Sequence, residues 1–107
     1  MDADEADFDR GELADLFAEV VGEAHSEGGL VTVKVDAKGR VSEIWLDDKV
    51  TGVSAERLAA AITTVCAEAF DNRIDQLATV IDDYQRAHEL EPEVLEFLRS
   101  SVASLRQ

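Results

Sequence analysis

The clearest hydrophobic pattern in the chain is a strict alternation of apolar and polar residues at positions 31–36, where three valines are separated by Thr and Lys and followed by Asp. A period of two is typical of a β-strand with one buried face. Residues 36–40 are few and include Gly39, so residues 41–46 are predicted to return as an antiparallel partner. The apolar residues of this second strand do not keep one phase, which predicts either a bulge or a strand buried on both faces at its end.

A second pattern, with helical spacing, begins at Ser54, a favourable N-cap residue, and continues to about residue 88. Leu58, Ile62 and Val65 define one apolar stripe, and a seam with alternating spacings of four and three follows after a small phase slip. The seam consists of Phe70, Ile74, Leu77, Ile81, Tyr84 and His88. Because a hairpin and one short helix cannot cover so long a helix, the seam requires another helix, from this chain or from a second one.

Two weaker helical patterns flank these elements. Residues 9–21 predict a short first helix, with Asp9 as N-cap and Gly22 as a stop, although residues 20–26 fit a strand as well as a helix. A last helix is predicted from Pro92 to about residue 105, because proline is favourable at a first helical position. This helix would fold back over the seam, and the sequence leaves open whether it packs on its own chain or on another.

These elements predict an α+β domain with a short N-terminal helix, an antiparallel β-hairpin or three-stranded sheet, a long amphipathic helix and an extra C-terminal helix. Residues 1–8 are acidic and almost without large apolar groups, so they are predicted to be a disordered start. Residues 9–107 are predicted to form a single domain that includes a C-terminal helical extension at about residues 88–107. A chain of 107 residues with 46% hydrophobic content builds only a modest core, so we expect a homodimer.

The net charge limits the choice of partners. The formal charge is −14, from 24 acidic and 10 basic residues, and five of those acids lie within residues 2–9. Such a surface on average repels phosphate backbones and anionic membranes. The chain begins with acids, has no apolar run of membrane-spanning length and has one cysteine, so a cytoplasmic protein without membrane contact is expected.

The sequence offers few candidates for chemistry. His25, Cys66 and His88 lack the short spacings of zinc ligands, and Cys66 on an apolar helix is best interpreted as a small buried hydrophobe. The acidic pairs Asp47-Asp48 and Asp82-Asp83 are interpreted as solvated faces, because adjacent side chains diverge. We therefore predict no catalytic, cofactor or metal site, and no enzyme.

Two sets of residues are candidates for contacts with other molecules. The best basic cluster is Lys34, Lys38 and Arg40 around the hairpin, which we predict as the possible nucleic-acid contact. A second set is predicted to form the dimer and helix-packing interface, because its members are large apolar residues on the strands and the seam. This set consists of Val33, Trp45, Phe70, Ile74, Leu77, Ile81 and Tyr84.

Residues 21–70 resemble the YbaB/EbfC family. The resemblance rests on the Gly-Leu-Val opening of the first hairpin strand, the glycine turn, the Leu46-Asp47 pair and the Ala-rich helix at residues 58–69. It implies a small α/β dimer with protruding helical arms that acts as a nucleoid-associated protein and binds DNA with little sequence preference. This chain departs from the family pattern in its short first helix, its added C-terminal helix and its lack of basic arms.

The segment Leu46-Asp47-Asp48-Lys49 before the long helix also resembles the acidic Esp accessory proteins of mycobacterial type VII secretion. This second resemblance implies a protein-interaction module in the cytosol that holds another protein. The chain lacks a Trp-x-Gly turn, and Tyr84 is followed four residues later by His88 in place of the acid of the usual export motif. The alternative function is therefore an accessory role, not that of a secreted substrate.

Overall fold

The computed structural model describes residues 10–106. Three α-helices and three β-strands follow in the order α1 (Arg10–Phe17), β1 (Gly22–His25), β2 (Val31–Val35), β3 (Val41–Leu46), α2 (Ala55–His88) and α3 (Pro92–Ala103). Short 3-10 turns occupy Glu27–Gly29, Asp48–Gly52 and Ser104–Arg106. The predicted N-cap Asp9 and the predicted disordered segment 1–8 lie outside the described residues.

The strands form one antiparallel sheet in the order β1-β2-β3. The segment that fitted either a strand or a helix therefore contains the strand β1, which pairs with β2 from Gly22 opposite Val35 to His25 opposite Thr32. The connection between β1 and β2 is closed by Ser26, whose hydroxyl oxygen accepts from the Val31 N–H at 3.0 Å. Of the two predicted alternatives, a β-hairpin or a three-stranded sheet, the three-stranded sheet is the correct one.

The alternating valines of β2 form the centre of the first hydrophobic core. Val31, Val33 and Val35 are fully buried and pack with Val65 and Ala69 of α2. Burial of these side chains removes most of their apolar surface from water, which is the main stabilising contribution in this part of the chain. The buried face of β2 and the apolar stripe of the long helix thus pack against each other, which gives two layers, a helix on a sheet.

The outer hairpin strand β3 has an irregular register and little cover. Glu43 lies opposite Lys34 whereas Val41 lies opposite Val35, so one extra residue, Ser42, is inserted as a bulge. All six residues of β3 are exposed. The bulge is therefore the correct alternative, and the expectation of a strand buried on both faces is wrong because α2 does not cover β3.

The chain divides into two compact units, residues 21–73 and residues 1–20 with 74–107. In the second unit, Ile74, Leu77 and Ile81 of α2 form a core with Val20 and Val102. A neighbouring core contains Leu13, Tyr84 and Leu90. Because Val102 belongs to α3, the last helix packs on its own chain and provides the cover that the seam requires.

The helix ends follow from local hydrogen bonds. The Ser54 hydroxyl oxygen accepts from the Arg57 N–H at 3.2 Å, as expected for the N-cap of α2. At the other end Glu89 adopts a left-handed backbone conformation with φ of 48°, which stops α2 and allows α3 to begin at Pro92. Helix α1 ends at Phe17, earlier than predicted, and none of the described helices is long and apolar enough to cross a membrane.

Candidate functional site

The hairpin turn between β2 and β3 is organised around one carboxylate. An Asp36 Oδ1 atom accepts from the backbone N–H of Lys38 at 2.9 Å and from that of Arg40 at 3.0 Å. The Arg40 N–H lowers the pKa of Asp36 most; partial desolvation opposes it, while the Lys38 N–H and both basic side chains add to the lowering. The turn therefore presents the side chains of Lys38 and Arg40 from a fixed backbone.

A third base lies against this turn and comes from the long helix. The Arg73 guanidinium donates from Nη2 to the Ala37 carbonyl oxygen at 2.9 Å. Its Nη1 lies 3.3 Å from the position that a Cβ would occupy at Gly39, whose φ of 81° favours glycine. Sequence reasoning missed Arg73 because it lies more than thirty residues from the turn, and no local pattern links the two.

Lys34, the remaining member of the predicted basic cluster, has a different environment. Its ammonium lies 3.6 Å from Glu43 Oε2, with both side chains about half exposed. Glu23 is its cross-strand partner on the other side, so an acid neighbours Lys34 on each adjacent strand. The structure therefore brings Arg73 to the same turn as Lys38 and Arg40, while Lys34 has an acid opposite it on each adjacent strand.

The second candidate surface is the apolar edge strand β3. Ile44 pairs with Val33 and Leu46 pairs with Val31, so these two side chains lie on the helix-facing side of the sheet. They remain 46% and 39% exposed, because α2 lies close to β1 and leaves β3 open. Trp45 lies on the opposite side and is 52% exposed. Among residues 10–106, nothing covers this apolar strand on either face or pairs with its outer edge.

The other residues of the predicted interface set lie in two different environments. Val33 is fully buried in the sheet core, and Ile74, Leu77, Ile81 and Tyr84 are buried within the second unit. Phe70 is 37% exposed. Within the single chain, only Trp45 and Phe70 of this set are available for contact with another molecule.

The residues considered for metal or thiol chemistry do not converge. Within residues 10–106, no group of three or more His, Cys, Asp or Glu side chains is placed to hold a metal ion. Cys66 is half-buried beside the sheet core, and His25 is exposed. His88 stacks on Tyr84 with ring centroids 4.1 Å apart and lies 3.9 Å from a Glu12 carboxylate oxygen.

The fold and these surfaces define a class: a small α+β protein with a three-stranded antiparallel sheet packed on a long helix. A family model described as the YbaB/EbfC DNA-binding family matches residues 10–88, and the chain belongs to this family. The resemblance seen in residues 21–70 is thereby confirmed and extended. The match ends where α2 ends, so α3 lies outside it.

Solved structures support the same fold. The crystal structure of an uncharacterized protein, HP0035, from Helicobacter pylori is similar to this chain with a TM-score of 0.51 and 15% sequence identity. The similarity covers 62% of this chain and 77% of that chain. No curated protein matches the chain.

Proposed function

We propose that this chain is a non-catalytic, nucleoid-associated-type protein that contacts DNA through the hairpin turn, without reading base sequence. The observation that carries the proposal is the cluster of Lys38, Arg40 and Arg73 at the hairpin turn, where Asp36 is the one acid of residues 36–40, in a member of a DNA-binding family. A lysine ammonium attracts a phosphate as a single charge, and an arginine guanidinium can donate two parallel hydrogen bonds to it. Such contacts to the DNA backbone give affinity without sequence preference. The place of action is the cytoplasm, at the nucleoid.

The distribution of charge favours this unit over the rest of the chain. Residues 21–73 carry nine acids and six bases, a net charge of −3. Residues 1–20 and 74–107 carry fifteen acids and four bases, a net charge of −11. A polyanion is repelled least by the sheet unit, and within it the turn is the place where bases outnumber acids. Binding is therefore weak at physiological salt and depends on few phosphate contacts.

We further propose that the DNA-binding form is a homodimer joined through β3. Ile44, Trp45 and Leu46 are exposed on a strand whose outer edge pairs with no other strand in the described part of the chain. A second copy of β3 would pair with this edge and continue the sheet, and a helix of the partner would cover the side of β3 that α2 leaves open. Such a dimer carries two basic turns, which raises the affinity for a long duplex through simultaneous contact.

The experiment is a mobility-shift titration of the full chain on a duplex of mixed sequence at low salt. The double variant Lys38→Gln/Arg40→Gln is expected to weaken binding about tenfold, because each lost phosphate contact removes one released counterion. The matched control is Lys49→Gln/Arg57→Gln, which removes two exposed bases of the same unit outside the turn. Equal loss in both variants would mean that only net charge matters, and absence of any shift in the native chain would overturn DNA binding.

A further inference from the structure

The helical unit contains an apolar groove that the proposed DNA contact and dimer do not use. Leu13, Ala14 and Phe17 of α1 line one wall, and Val94, Phe97 and Leu98 of α3 line the other, around a cavity of about 490 Å³. Glu93 is the one charged residue in the lining. Phe97 is 69% exposed, the largest exposed fraction among the large apolar side chains that the structure describes. An aromatic ring left in water beside an apolar groove is typical of a surface that receives another molecule.

The charge around the groove selects its occupant. The unit has a net charge of −11, and residues 89–96, which include the first turn of α3, contain four glutamates. Three of the unit's four arginines are held by aspartates of α2, as Arg86 with Asp83, Arg99 with Asp82 and Arg106 with Asp75. The groove lining contains none of these arginines and one acid, Glu93, so an apolar surface lies beside a carboxylate in a strongly negative unit.

Three other occupants are opposed by the same charges. The chain's own residues 1–9 contain two large apolar side chains, Met1 and Phe8, but also five acids. The same surface of a second copy would place acid against acid, and DNA would be repelled. A basic segment with apolar side chains fits both the apolar lining and the Glu93 carboxylate.

We propose that this groove binds a basic amphipathic helix of another protein, with apolar side chains seated between α1 and α3 and a Lys or Arg side chain beside Glu93. Helix-in-groove binding uses apolar residues that recur at three and four residue spacings along the partner, and the exposed Phe97 provides the aromatic anchor on this side. Because α3 lies outside the family match and α1 lies inside it, the groove forms where the added helix meets the matched part of the chain. The proposal does not depend on DNA binding or on dimerisation.

The test uses the full chain and three labelled synthetic peptides of roughly 15 residues, about four helical turns. The first is a Leu/Lys helix with one apolar face, the second has the same composition in scrambled order, and the third replaces Lys with Glu. Fluorescence anisotropy at low salt is expected to show saturable binding in the micromolar range for the first peptide alone. Equal binding of the scrambled peptide would reduce the effect to charge attraction, and absence of binding would also overturn the proposal.

A pair of variants assigns the site. Phe97→Ala is expected to lower the affinity for the first peptide about tenfold. Leu105→Ala alters another exposed apolar residue, which lies outside the groove lining, and is expected to leave that affinity unchanged. Because Phe97 is exposed, both variants should retain the native circular dichroism melting curve, which separates lost binding from lost folding.

Further outcomes identify a different occupant. Tighter peptide binding by Phe8→Ala would assign the groove to the chain's own N-terminal segment. A dimer that dissociates in Phe97→Ala would assign it to a second copy. Either result would overturn the proposal, and neither would bear on the DNA titration.

Discussion

Gly22 occupies a position on β1 where a side chain has no space. A Cβ at this residue would overlap the backbone oxygen of Ala69 and lie 2.8 Å from the Cβ of Arg73. The missing side chain lets strand and helix approach closely, and the Glu23 N–H then donates to the Asn72 side-chain oxygen at 3.1 Å. The sequence marked Gly22 only as a helix stop, because its role comes from a helix some fifty residues later.

Gly22→Ala is expected to lower the free energy of unfolding by about 1–3 kcal/mol, because the added methyl group meets backbone that cannot move aside without separating β1 from α2. Gly52→Ala is the matched control, since nothing lies within 4 Å of a Cβ at Gly52. Urea unfolding followed by circular dichroism measures both variants. Equal midpoints would show that β1 and α2 are not in close contact in solution.

Asp36 gives the hairpin turn a defined pH dependence. Its folded pKa is depressed below the ordinary value of 3.8, first by the Arg40 backbone N–H. A depressed pKa means that the stabilising contribution is present above the ordinary value and is lost as the pH falls through the folded pKa. We expect the Asp36 carboxyl carbon to titrate below 3.8 in NMR spectra, with the amide signals of Lys38 and Arg40 changing over the same pH range.

The variant Arg40→Gln separates the causes of this shift. It keeps the backbone N–H and removes the basic side chain, so most of the pKa depression of Asp36 should persist. A midpoint at or above 3.8 in the native chain would contradict the hydrogen-bonded turn. A full return to 3.8 in the variant would instead assign the shift to charge.

At the scale of elements, α2 contributes one face to the sheet and a later stretch to the helical unit. Val65 and Ala69 pack on the valines of β2, and Ile74, Leu77 and Ile81 pack with residues of α3 and the segment after α1. The phase slip read near residues 66–70 coincides with the change from one core to the other. One continuous helix, apolar on different faces along its length, therefore contributes residues to both cores.

Ile81→Ala is expected to destabilise the chain by about 2–5 kcal/mol, because Ile81 is fully buried and its loss leaves a cavity among Leu77, Val20 and Val102. Gln76→Ala, an exposed position on the same helix, should change stability by less than about 0.5 kcal/mol. Thermal unfolding measures both. Similar melting temperatures would mean that α3 does not cover the seam in solution.

Local patterns were sufficient for the elements and insufficient for their contacts. The alternation in β2, the Ser54 cap and Pro92 are each recognisable within a few residues of sequence. The hairpin and the starts of α2 and α3 were therefore predictable. The pairing of β1, the position of Arg73 and the open side of β3 depend on residues far apart in sequence. Of the basic cluster, Lys38 and Arg40 were found by proximity, whereas Arg73 required the fold.

For the whole molecule, the exposed β3 determines the expected assembly. Light scattering should give twice the chain mass of 11.7 kDa. Trp45, the single tryptophan, is half exposed in the chain and should shift its emission to shorter wavelength as the dimer forms, since pairing removes it from water. Dilution should reverse the shift.

Ile44→Glu should favour the monomer by placing a charge where apolar contact is expected, and Thr63→Glu on α2 is the control with the same change in charge. A native chain that scatters as a monomer at all concentrations would contradict the shared sheet. A dimer that persists in Ile44→Glu would move the interface away from β3.

The open edge of β3 has a consequence for colloidal behaviour. An apolar strand with an unpaired edge accepts any complementary strand, and uncontrolled strand addition is how aggregates begin. The charge of −14 keeps copies apart, so that only a contact good enough to overcome the repulsion persists. Near the isoelectric point of about 4.3 the repulsion between copies disappears. On lowering the pH, this chain is therefore expected to precipitate while it is still folded, before its cores unfold.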